Sequence, residues 1–265
     1  KGNHIITTKS EHKAVLDTCA FLEENGFEVT YLDVDSKGLI SVEMLSEMLR
    51  PETILVSILY ANNETGTIQP LDEISRLTHK NGSLLFSDTT QALGKVDLSK
   101  VFQLVDFACF SAHKVYGPKG IGLVFIKDNE DGNGLPSFIQ GGGQQKKQRG
   151  GTINTPLIVG FSKAIALAIE NIKIETQRLK TLRNKLETGL LQIELAISNS
   201  TTPQRLPNTV HISFPYVDGA NLLTALSRQI AVSNGSACNS ASVEPSHVLT
   251  AMGIERSLAY ASLRL

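Results

Sequence analysis

Apolar and polar positions along the first half of the chain switch repeatedly between helical and strand spacing. Over residues 11–25, Ala14, Val15, Cys19 and Leu22 share one broad stripe, with Ser10 placed to cap the start and Gly26 to close the end. Residues 27–34 alternate as a strand, and 42–49 form a short helical pattern stopped by Pro51. Residues 53–60 are almost continuously apolar, the pattern of a strand covered on both faces. A helix follows over 71–80, closed by Gly82, and further strands over 83–87, 105–110 and 121–127. The last two are joined across Gly117-Pro118-Lys119-Gly120. Strand–helix–strand alternation predicts an α/β fold with a mainly parallel sheet.

The texture changes after Gly151. Residues 156–192 read as one long helix, rich in charge beyond Glu170 (Lys173, Glu175, Arg178, Lys180, Arg183, Lys185, Glu187), most simply a solvated face. A polar loop over 198–207, a strand over 209–214, a helix over 218–228, a strand over 230–233 and a helix over 245–252 follow. The expectation is a large domain over 1–168 and a smaller α+β domain over 169–265. Lys1 in place of Met, and an end at Leu265 just after an apparent strand start, suggest a fragment lacking both ends.

Composition narrows the classes. Hydrophobic residues are 41% and charged residues 19% of the 265, an ordinary globular balance. Lys plus Arg number 25 against 26 Asp plus Glu, a net charge of −1, so there is no basic footprint for nucleic acid or an anionic membrane. No apolar run approaches the ~18 residues of a spanning helix. Three cysteines make no disulfide framework and point to a reducing compartment, the cytoplasm or an organelle matrix.

In open α/β sheets, ligands sit beyond the carboxyl ends of the strands. Three of the predicted strands run into polar clusters there: Ala61-Asn62-Asn63-Glu64-Thr65-Gly66, Asp88-Thr89-Thr90-Gln91 and Ser111-Ala112-His113-Lys114. A lysine against an apolar wall loses ammonium hydration, and its amine becomes a Schiff-base nucleophile. Lys114 stands where that is possible, although a solvated strand-end lysine is the ordinary alternative. Asp88 alone reads as a turn residue. Together they supply the polar minimum for pyridoxal phosphate, an amine for the aldehyde and a carboxylate for the pyridine nitrogen. Ser111 and His113 could bind its phosphate.

Cys238 lies in the small-residue stretch Ser233-Asn234-Gly235-Ser236-Ala237-Cys238-Asn239-Ser240, which reads as an exposed loop. Cys19 and Cys109 read as small core residues. A metal site built from Cys238, His113, His12 and Asp88 lacks any recognised ligand spacing. The glycine-rich stretch Gly141-Gly142-Gly143 to Arg149-Gly150-Gly151-Thr152 matches neither common phosphate-loop pattern and reads as a turn.

These clusters, with Glu11-His12-Lys13, Val115-Tyr116-Gly117-Pro118-Lys119-Gly120, Arg149-Gly150-Gly151-Thr152 and Gly235-Ser236-Ala237-Cys238, occur in an order that resembles the NifS/IscS-type cysteine desulfurases. These are class V members of the fold-type I pyridoxal-phosphate enzymes, and the match runs the length of the chain. The resemblance implies a fold-type I transferase-like architecture, a homodimer and conversion of L-cysteine to L-alanine. The sulfur would be left as a persulfide on Cys238 and passed to an iron–sulfur scaffold or another acceptor protein. It implies that Lys114 bonds the cofactor, His12 stacks on the ring and assists proton transfer, Asp88 pairs with the ring nitrogen, and Gln91 bonds the ring hydroxyl. Asn63 would lie between that hydroxyl and the substrate carboxylate, which Arg264 would bind. Ser111 and His113 would hold the phosphate, and Thr152 the phosphate of the neighbouring subunit. The Ser-Ala-Cys context resembles the branch whose cysteine loop is long and mobile, and Cys238 could there contact an iron–sulfur cluster transiently. Gln144-Gln145-Lys146-Lys147 departs from the acidic–basic pair usual at that place. A selenocysteine lyase, a related aminotransferase, or a catalytically silent truncated domain are the competing expectations.

Overall fold

The computed structural model describes residues 2–127, 136–234 and 244–265. The chain opens with β1 (His4–Thr8), a strand that its hydrophobic pattern did not mark, because all five residues are buried and three of them are polar. α1 (Lys13–Glu24) begins later than expected. Its cap is His12, whose Nδ1 accepts from the Ala14 N–H at 3.1 Å, whereas Ser10 is buried and its hydroxyl bonds Thr8. β2 (Glu28–Leu32), α2 (Val42–Met48), β3 (Thr53–Ser57), α3 (Leu71–Lys80) and β4 (Leu84–Asp88) follow the expected order. α4 (Val101–Leu104) is a single turn absent from the sequence pattern, and β5 (Phe107–Ser111) and β6 (Gly122–Ile126) complete the first sheet.

The six strands lie in the order β2-β1-β3-β4-β5-β6. The first five are mutually parallel, and β6 returns antiparallel to β5 because its connection is too short for a crossover. Ile6, Val56, Leu85 and Ala108 are buried at the centre, each on a different parallel strand. β1 explains why a polar-looking segment can be central. The His4 ring bonds the Thr53 hydroxyl of β3 through Nδ1 (2.7 Å) and the Thr30 hydroxyl of β2 through Nε2 (2.9 Å), so both ring nitrogens are satisfied inside the sheet.

α5 (Gln144–Lys147) is one turn in which Gln145 and Lys146 take left-handed backbone angles. α6 (Thr155–Leu190) is 36 residues long, capped by Asn154 and started by Pro156. Its charge run is only partly solvated. Arg183 is buried and donates to the Leu206 carbonyl at 2.8 Å, and Glu187 pairs with Arg205, both side chains 12% exposed. β7 (Ile197–Ser198), β8 (His211–Ser213), α7 (Gly219–Leu226), α8 (His247–Ala251), α9 (Arg256–Tyr260) and β9 (Ser262–Arg264) finish the chain. The last sheet is antiparallel, in the order β7-β8-β9. The strand expected over 230–233 reduces to one bridge, Ser233 to Arg264, because Ile230 is exposed and has no apolar face to cover. α9 was not legible either. Among the described residues no helix is long and apolar enough to cross a membrane.

Gly94 (φ +72°) is where backbone and packing agree most tightly. A Cβ there would lie 2.8 Å from both the Ala168 Cβ on α6 and a Val115 methyl, whereas one at Gly26 (φ +88°) would meet nothing within 4 Å. Gly26→Ala is therefore expected to cost only the left-handed backbone penalty, about 1–2 kcal/mol, and Gly94→Ala clearly more, by urea denaturation. Equal losses would contradict the packing.

His211 is wholly buried, accepts from Asn199 at 3.0 Å, and is pulled down to about 3 by burial and then by the Arg264 charge. An unfolded imidazole takes a proton near 6.5 while the folded one resists until about 3, so protons favour unfolding across that window. Unfolding free energy in the wild type is expected to fall as pH drops through it, and less steeply in His211→Asn. Identical slopes would contradict the assignment.

Candidate active site

Parallel alignment sends the carboxyl ends of β1, β3, β4 and β5 to one edge of the sheet, and these strands are neighbours in that order. β1 leads into Glu11 and His12, β3 into Asn62 and Asn63, β4 ends on Asp88 before Gln91, and β5 ends on Ser111 before His113 and Lys114. The clusters singled out in the sequence therefore share one edge.

Asp88 is half-buried. One carboxylate oxygen accepts from the Thr90 N–H at 2.9 Å, and Asp88 stands in register with Cys109 of β5. Burial and then the Asp88 charge push the Cys109 thiol up to about 12, and burial pushes Cys19 up to about 11. Neither offers a thiolate near neutral pH.

Lys114 sits in a single 3-10 turn, Ala112–Val115. With three residues per turn, Ala112 and Val115 point inward and are buried, which turns His113 and Lys114 outward. The apolar wall expected around Lys114 is thus absent, and its side chain is exposed. The desolvated lysine is Lys95, on the turn after Gln91. Its Nζ donates to the Gln91 carbonyl at 2.9 Å and to Gln91 Oε1 at 3.1 Å. Burial, and then the Lys114 charge, pull Lys95 down to about 8.

On the other side of the edge, Arg264 of β9 donates to the Asn63 carbonyl at 3.0 Å, so these two expected partners are brought together. Glu64 is buried and accepts the Ser246 hydroxyl at 2.6 Å. Burial raises its carboxyl above the ordinary range, although Ser246, His247, Arg264 and His12 all act in the opposite direction. Glu11 is fully buried. One of its oxygens accepts from the Leu59 N–H at 2.6 Å and the other has no partner among the described residues. Burial, and then the Asp88 charge, hold the Glu11 carboxyl well above its ordinary value. His247 Nε2 donates to the Glu11 carbonyl at 2.8 Å.

Glu11, Glu64, Lys95 and Ser246 were missed as participants. Glu11 and Glu64 stood inside the recognised clusters, where an acid in a strand-end turn was available as a signal. Lys95 follows Gln91 by four residues, close enough for its stem to reach back over the turn. Thr152 is exposed ahead of α6. Cys238, with Gly235, Ser236 and Ala237, lies outside the described residues. The described residues on either side of it tie back to this edge, Ser233 to Arg264 and Ser246 to Glu64. Among the described residues no three His, Cys, Asp or Glu side chains gather to hold a metal ion.

The edge thus offers an exposed primary amine and a half-buried carboxylate on adjacent strands, an imidazole, and a guanidinium beside a backbone carbonyl. Residues 1–265 match the aminotransferase class-V family model. The chain is 47% identical over 264 residues to a protein of Haemophilus influenzae (strain PittGG) named cysteine desulfurase IscS, covering all of this chain and 65% of that protein. It is 42% identical to the one named cysteine desulfurase IscS in Ehrlichia chaffeensis, of which it spans 64%. Among solved structures, a NifS-like protein superposes with a TM-score of 0.90 at 39% identity, covering 100% of this chain and 69% of that one. A structure described as SspA in complex with cysteine gives 0.84 at 37% identity, covering 99% and 73%. The chain belongs to the aminotransferase class-V family.

Proposed function

We propose that this chain is the greater part of a pyridoxal-phosphate-dependent cysteine desulfurase. The observation that carries the reading is the placement of Lys114 and Asp88 at the ends of adjacent parallel strands, with His12 and the Arg264–Asn63 pair on the same edge. The donor set fits the cofactor: an exposed amine for an aldehyde, a half-buried carboxylate for a pyridine nitrogen, and a hydroxyl and imidazole for a phosphate. When bound, pyridoxal phosphate supplies an electron-accepting ring that stabilises negative charge developing at the substrate α-carbon.

The residues of this chain do the rest. Lys114 would hold the cofactor through its amine, and that amine, once freed, would take the substrate α-proton. Asp88 would keep a proton on the ring nitrogen. Gln91 would bond the ring hydroxyl, His12 would lie against the ring and serve proton transfer, and Ser111 and His113 would hold the phosphate. Arg264 spends one nitrogen on Asn63, which leaves the rest of its fork for the substrate carboxylate. The Cys238 thiolate attacks the substrate sulfur. An S–S bond forms as the Cβ–S bond breaks, the electron pair stays with carbon and is protonated, and the products are alanine and a Cys238 persulfide.

The partners are L-cysteine, a second copy of the chain to which Thr152 lends a phosphate contact, and a sulfur acceptor such as an iron–sulfur scaffold. Exposed apolar residues along α6, Val159, Ile169 and Ile174 among them, support the homodimer. The two sheets support a division into a large domain over 1–168 and a smaller one over 169–265. Cysteine usage supports a cytoplasmic setting.

In the full-length protein, Lys114→Ala is expected to lose the visible absorbance that pyridoxal phosphate acquires on bonding a lysine. Cys238→Ala should keep that absorbance yet form no persulfide and release no alanine from L-cysteine. Normal alanine release by Cys238→Ala would overturn the nucleophile, and an unchanged spectrum in Lys114→Ala would overturn the site. Arg264→Lys keeps the charge and loses the fork, so KM for L-cysteine should rise about tenfold or more, with a smaller change in kcat. An unaltered KM would remove Arg264 from substrate binding.

A further inference from the structure

The proposed chemistry leaves one half-buried cation beside this edge unused. Lys95 Nζ is bound by two oxygens of Gln91 and by no carboxylate within ion-pair distance among the described residues. A desolvated cation without a counter-ion costs stability. The turn that carries it is fastened from two sides. Thr176 of α6 donates to the Lys95 carbonyl at 2.8 Å, and Gly94 packs against Val115, the residue after Lys114. The charged group acting on Lys95 is Lys114. Asp97, farther along the same turn, is bonded to Ser99 and feels Lys100 and Lys173 of α6 instead.

An ammonium only donates, so it can hold only the oxygen of the Gln91 amide. Whatever meets the other end of that amide then meets N–H donors.

We propose that Lys95 is a positioning residue for the cofactor, orienting Gln91 as a hydrogen-bond donor to the ring hydroxyl and, while protonated, setting a positive charge near the bond between Lys114 and the cofactor. The inference rests on the pyridoxal-phosphate reading above. Both effects disfavour the protonated form of that bond, the first by drawing charge from the ring oxygen and the second by repulsion. Lys95 therefore lowers the pH at which the bond changes its visible absorbance.

The test is a pH titration of that absorbance in the full-length protein loaded with pyridoxal phosphate, for the wild type and for Lys95→Met, Lys95→Gln and Lys95→Arg. The two neutral variants should move the midpoint upward by about one on the pH scale. Lys95→Arg, which keeps the charge, should leave it near the wild-type value. An unmoved midpoint in either neutral variant with normal cofactor content, or an equal shift in Lys95→Arg, overturns the proposal. Wild type lacking any lysine-bonded absorbance would instead overturn the underlying reading, and this inference with it. Should the neutral variants fail to fold, the wild type still decides: the Lys95 side-chain NMR signal should titrate near pH 8 without cofactor and shift on loading. A Lys95 titration indifferent to cofactor overturns the proposal.

Discussion

The structure depends on the parallel alignment of β1, β3, β4 and β5. A parallel sheet covered on both faces has nowhere inside it for functional polar groups except where its strands end, and parallel strands all end in the same direction. Residues more than a hundred positions apart, from Glu11 to Lys114, therefore meet along one edge without any of them folding toward another. The C-terminal part adds further groups by hydrogen bonding across: Arg264 of β9 reaches Asn63, and Ser246, the cap of α8, reaches Glu64.

Charges of both signs meet along that edge. Glu11, Glu64 and Asp88 lie at the β1, β3 and β4 ends, Arg264 reaches in beside Asn63, and Lys95 and Lys114 follow β4 and β5. Two of the acids are held above their ordinary range by burial, so they approach neutrality and limit repulsion where three carboxyls crowd. The lysines divide their labour by exposure. Lys114 is exposed, while Lys95 is half-buried and held to Gln91 by its turn.

Elements whose pattern repeats over two or more turns were legible: α3 and α6 lie within two residues of their expected bounds. β1 was not, because its buried His4 is satisfied only by Thr30 and Thr53 on strands distant in sequence. The segment at 230–233 carried an apolar run without a surface to bury it. At the site, the strand-end clusters were readable because turns after parallel strands are short and polar. Which lysine is desolvated was not, since that depends on how the 3-10 turn at 112–115 rotates its side chains and on how Thr176 and Gly94 press the neighbouring turn into place. Arg183 and Glu187 sat in a run that looked solvated, and only tertiary contact with Leu206 and Arg205 shows otherwise.

The most direct test of the account is chemical trapping. Full-length protein loaded with pyridoxal phosphate is reduced with borohydride, digested, and its modified peptide identified by mass. The account expects the cofactor fixed on Lys114 alone. Attachment to Lys95, or no stable attachment at any lysine of this edge, would contradict it.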